Sequence, residues 1–241
     1  MKKSSRKLKI LVIVGIIWAL IVLIASTLGE RTPETLTYLL SITGSGLYTL
    51  ILYWTRPFWL PRLAAHPLRN AMLLGSFNAA AIEALFLLIQ NVLGAHGIAA
   101  ADNLWLDLIL TMPWYIGMVI IFVIIQNRQR FSTATVLLLG GLYEVGADGI
   151  VGGLIIPAVS GTPPNLPQWI VLMVALSFWQ LILVYSSMVL PPAWVIASQP
   201  APPAVSKPPL VDGLRPLFWL IPYTVYAIIA LFAVYFVTQA A

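Results

Sequence analysis

Apolar residues run along this chain in long unbroken stretches rather than at every second or third position. Seven stretches, at about 9–28, 36–55, 71–94, 104–126, 132–157, 168–192 and 216–238, qualify as spans. Each approaches or exceeds the roughly 20 residues that a helix needs to cross a bilayer core about 30 Å thick. The alternating segments of a membrane barrel are absent. Backbone groups in lipid must find their partners within a helix or a closed barrel. The pattern therefore predicts an all-α fold, a polytopic bundle of seven transmembrane helices, with residues 1–241 forming a single integral-membrane domain.

Composition agrees: 60% of the chain is hydrophobic, 9% is charged, and the mean hydropathy is +0.94. A soluble domain averages about 25% charged residues. The net charge of +5 does not point to nucleic acid, because the charges are sorted by side. Counting alternate loops, one side holds Lys2, Lys3, Arg6, Lys7, Lys9, Arg56, Arg62, Arg69, Arg128, Arg130, Lys207 and Arg215, and the other only Arg31. Basic residues accumulate on the cytoplasmic side of membrane proteins, so the N-terminus is expected inside, the C-terminus outside, and the chain as a multi-pass protein of the plasma membrane. The basic start followed by the apolar run Ile10–Ser26 resembles a signal sequence, but 17 residues exceed the usual apolar core, so an uncleaved first helix is expected.

Two basic-side connections stand out. Residues 56–70 mix three arginines with aromatic residues and prolines, as expected of a segment in the headgroup region. Residues 196–213 are rich in Pro and Ala and read as a semi-rigid loop between helices six and seven. No internal repeat of the kind found in inverted-repeat transporters is evident.

Candidate chemistry is concentrated in acids. Glu83, Asp107, Glu144 and Asp148 fall inside the predicted helices, and no Lys or Arg occupies a helix interior to neutralise them. A charge at the bilayer centre costs about 2.5–3.5 kcal/mol even on lenient insertion scales, so protons or hydrogen-bond donors must satisfy these groups. Glu83 and Glu144 fall near the midpoints of helices three and five. Asp148 is one helical turn from Glu144 on the same face. Asp107 lies near the outer start of helix four, about 12 Å from the midplane at roughly 1.5 Å per residue; it is a candidate substrate contact there, and capping the helix N-terminus is an equal expectation. Asn78 and Gln180 are candidate substrate contacts or interhelical glue. Trp114 and Trp179, near mid-membrane, read as bundle core or as pocket walls facing a cation. Pro113 removes a backbone hydrogen bond from helix four. The stretch Gly44–Ser45–Gly46 invites local unwinding of helix two, and Gly149 and Gly153 suggest a small-residue helix contact.

Absences narrow the classes. There is no cysteine, and His66 and His96 fall in loops on opposite sides, so thiolate, iron–sulfur, haem and histidine-cluster metal sites are not expected. Helix seven lacks the lysine that a retinal protein requires. Asn78-Ala-Ala-Ala-Ile-Glu83 resembles, over a handful of positions, the Asn-plus-aromatic–Glu motif of membrane-bound meroterpenoid cyclases. The spacing here is longer, the aromatic is missing, and residues 216–238 lack the acid that this family carries in its last helix.

The acids support an intramembrane acid/base enzyme acting on an apolar small molecule, a membrane lipid or isoprenoid, by cyclisation, isomerisation or hydration without a cofactor. Glu83 and Glu144 are the expected acid/base pair, with Asp148 as partner and Trp114 or Trp179 facing cationic intermediates. The alternatives are a proton- or cation-coupled transporter or channel using the same carboxyls, and a non-catalytic subunit of a membrane complex. Assembly as a homo-oligomer or within such a complex stays open.

Overall fold

The computed structural model describes residues 4–159, 161–162, 164–200 and 210–240. It contains helices α1 (Arg6–Glu30), α2 (Pro33–Leu63), α3 (Pro67–Leu93), α4 (Leu104–Gln129), α5 (Thr133–Ala158), α6 (Leu166–Ala197) and α7 (Leu220–Ala240). A short turn, Leu210–Gly213, and a 3₁₀ turn, Arg215–Trp219, lead into α7. Seven helices are long and apolar enough to cross a membrane. The central part of the Pro-rich loop, 201–209, lies outside the described residues.

The helix starts carry their own signals. Ser5, Thr32, Asn103, Ser132 and Asn165 each accept a backbone N–H of the first turn through the side chain, as good N-cap residues do. Arg31 and Arg130, both left-handed (φ 53° and 52°), close α1 and α4. The span limits differ from the hydropathy reading chiefly in α2. This helix continues through Pro57 and Pro61 to Leu63, so much of the expected 56–70 connection is helical. Its 31 residues reach about 46 Å at roughly 1.5 Å per residue, longer than the hydrocarbon core. Nor does α2 unwind at Gly44–Gly46: Leu85 and Leu183 pack over these glycines, and Ser45 donates to the Ser41 carbonyl at 2.7 Å.

Helix α6 is central and packs against α2, α3 and α5. Trp114, Met118, Phe122, Tyr143, Tyr185 and Met188 fill the interior and are almost completely buried. Two helices depart from α geometry near each other. α5 widens to π-helix over Val145–Ile155, and α6 does so over Leu172–Ser177. Such widening is uncommon and recurs at functional sites. Here it falls around Asp148 and beside Met173 and Ser177, in the half of the bundle away from the arginines of the α2–α3 and α4–α5 turns.

Candidate functional site

In that half, a cavity of about 490 Å³ is walled by α1, α2, α3, α4, α5 and α6, and Glu83, Glu144, Asp148 and Gln180 all line it. A second lobe, about 630 Å³, continues between α4, α5 and α7. The two share Tyr38, Glu83, Ile98, Ala99, Tyr115 and Asp148. The helical spacing of Glu144 and Asp148 thus places both on the cavity. Glu144 is deeply buried at 2% exposure, whereas Asp148 is surrounded by helices yet open to the cavity.

The four acids form two neighbouring pairs, each with a tyrosine. Tyr115 donates its hydroxyl proton to Glu83 Oε1, and the Asp107 carboxyl stands beside Glu83. In the second pair Glu144 adjoins Asp148 and Tyr185. Trp114 Nε1 donates to the Tyr185 hydroxyl at 2.7 Å. An indole N–H can only donate, so Tyr185 accepts from Trp114 and its own O–H is left as a donor beside Glu144. The rings of Tyr115 and Tyr185 lie 5.8 Å apart, centre to centre, and bring the two sets together. Asp107 Oδ2 and Glu144 Oε2 are buried and accept no hydrogen bond from a protein donor.

Asp107 also holds the loop above the cavity. Its Oδ1 accepts from the backbone N–H of Ala100 (2.9 Å) and Ala101 (3.4 Å). Gln90 Oε1 accepts from Ile98 and Ala99 (3.0 and 2.8 Å), and its amide donates to Asp102 (3.0 Å). Residues 97–100 are thereby fixed as a wall of the second lobe. The expected helix-cap role for Asp107 is corrected: Asn103 caps α4, and Asp107 sits one turn in, fastening the loop.

Other candidates lie elsewhere. Asn78 is fully buried between helices, accepting from Tyr48 (2.9 Å) and donating to the Ser187 carbonyl (2.7 Å). Trp114 stands behind Tyr185 rather than on the cavity wall. Trp179 packs flat against Gly15 of α1, where an added Cβ would lie 1.9 Å from its ring. Gly149 and Gly153 face Met173 and Trp169 rather than a bare helix backbone. Sequence reasoning missed Tyr38, Tyr115 and Tyr185. The signal for Tyr115 was its place two residues after Pro113 on a helix carrying Asp107 two turns earlier.

No family model, curated protein or solved structure matches this chain.

Proposed function

We propose that the protein is an intramembrane acid/base enzyme whose substrate is an apolar lipid, most simply an isoprenoid, and whose reaction is of the cyclase, isomerase or hydratase type. The observation that carries this reading is that Glu83, Glu144, Asp148 and Tyr115 line one cavity, with Asp107 and Tyr185 directly behind them, and that its remaining walls include Leu23, Ile42, Ile82 and Phe86. Its lobes, about 490 and 630 Å³, fall in the range of small-molecule sites of about 300–1,000 Å³.

One carboxylic acid adds its proton to a substrate alkene, and the electron pair of that double bond forms the new C–H bond. The neighbouring tyrosine rings offer their faces to the carbocation. A second carboxyl takes a proton from an adjacent carbon, whose C–H pair becomes the new double bond. Protons balance, and the four carboxyls with their tyrosine donors allow the pairs to exchange roles for the next turnover. A carrier using the same acids would need a path onward to the arginine-bearing end. There Met118, Phe122, Tyr143 and Met188 close the interior.

The test is mass spectrometry of lipid extracts from an isoprenoid-producing host expressing either the wild type or Glu144→Gln. A lipid formed by the wild type and reduced by roughly 10²–10⁴-fold in the variant is the expected result, the usual contribution of a positioned acid or base. Identical lipid profiles with both proteins folded in the membrane overturn the reading and send the question to proton-flux assays in liposomes.

A further inference from the structure

A separate cavity of about 630 Å³ opens at the other end of the bundle, between α2 and α6, where the arginines of the α2–α3 and α4–α5 turns gather. Arg56 stands at its edge. The guanidinium lies over the Tyr53 ring at 5.0 Å and the Trp194 ring at 5.9 Å. The two rings are themselves in edge contact, with centroids 5.6 Å apart. Leu50 and Leu190 supply apolar wall and Ser198 a hydroxyl.

Arg56 has no acid to pair with. Seven of the eight acidic residues, Glu30, Glu34, Glu83, Asp102, Asp107, Glu144 and Asp148, belong to the opposite half, around the carboxyl cavity or its loop. The eighth, Asp212, pairs with Arg215 at 2.8 Å, the one ion pair among the described residues. Arg130, next to the same cavity, already donates to the carbonyls of Asn127, Ile196 and Pro200. Arg56 is thus held in place by aromatic faces, and its N–H edge has no hydrogen-bond partner among the described residues. Stacking of this kind fixes a guanidinium for two-pronged recognition of an oxyanion.

We propose that this cavity binds a phosphate-bearing membrane lipid, with the phosphate on Arg56 and an acyl chain against Leu50 and Leu190. Charge complementarity selects the occupant: an uncompensated cation, at the end of the bundle that carries most of the arginines, borders an apolar recess. Basic pockets between helices at a membrane surface take anionic headgroups for this reason. The site is distinct from the carboxyl cavity and does not depend on the reaction proposed there.

Native mass spectrometry of the purified chain, titrated with phosphatidylglycerol, a diacylglycerol of the same acyl chains or inorganic phosphate, tests the assignment. The wild type is expected to retain phosphatidylglycerol about tenfold more tightly than diacylglycerol, which lacks the phosphate, the order of one charge-assisted contact. Arg56→Ala should lose that preference, and Arg56→Lys should keep part of it. Ala197→Phe, which fills the recess while leaving Arg56 in place, provides a second variant should Arg56→Ala fail to fold, and should lose retention as well. Equal retention of the two lipids by the wild type overturns the proposal, as does an undiminished preference in Arg56→Ala or Ala197→Phe. Occupancy by inorganic phosphate that displaces phosphatidylglycerol at equal concentration would show a phosphate site rather than a lipid site.

Discussion

Tyr185 is where packing and chemistry meet at a single residue. Its hydroxyl is the acceptor for Trp114 Nε1, and both side chains are almost wholly buried. Tyr185→Phe therefore leaves an indole N–H without a partner in the interior, which costs about 1–3 kcal/mol. Trp114→Phe removes the donor and its ring volume together. If the 2.7 Å bond is the principal link between them, the double variant should be less destabilised than the sum of the two singles. A double-mutant cycle from reversible denaturant unfolding in detergent measures this, and strict additivity counts against the bond. The acids of this site were legible in sequence because a carboxyl in an apolar helix is conspicuous and expensive. The tyrosines were not, since an aromatic residue in a membrane helix is equally at home in the core. Trp179 shows the same ambiguity from the other side: only the fold reveals that its ring lies on Gly15, more than 160 positions away in sequence.

Proline explains much of how the helices lock together. Each internal proline removes one N–H and so frees the carbonyl four residues earlier. Pro113 frees the Ile109 carbonyl of α4, and Tyr226 of α7 donates to it at 2.6 Å. Pro191 frees the Ser187 carbonyl of α6, and Asn78 of α3 donates to it at 2.7 Å. A missing intrahelical bond becomes an interhelical one, and in a bilayer no water would otherwise replace it. Tyr226→Phe should consequently destabilise the protein by about 1–3 kcal/mol. Adding Pro113→Ala restores the N–H that Ile109 lacked and should recover much of that loss, as read by thermal unfolding. Equal losses with and without Pro113→Ala would mean that Tyr226 stabilises by ring packing alone. At this scale the seven spans were legible from hydropathy, and the extension of α2 was obscured by two prolines that a helix beyond the hydrocarbon core tolerates. The widening of α5 had only a cluster of glycines as its sign: Gly146, Gly149, Gly152 and Gly153 make that stretch easy to reshape, but they do not state the geometry it adopts.

Across the whole molecule the charges are divided by end. Acids gather around one half of the bundle and arginines at the turns of the other, so the two cavities differ in the sign of their surroundings. The positive-inside bias predicts an orientation for this polarity, with the carboxyl cavity in the outer half and the Arg56 recess at the cytoplasmic face. The absence of cysteine makes the orientation directly measurable, since any introduced thiol is unique. Ala65, exposed in the turn between α2 and α3, and Thr162, exposed between α5 and α6, mark opposite ends. In intact cells a membrane-impermeant maleimide should label Thr162→Cys directly and Ala65→Cys only after permeabilisation. The reverse pattern would place the N-terminus outside and put the carboxyls in the cytoplasmic half. A substrate drawn from the inner leaflet would then be required, and the phosphate-bearing lipid at Arg56 would have to come from the outer one. The labelling result therefore also decides from which leaflet each cavity is filled.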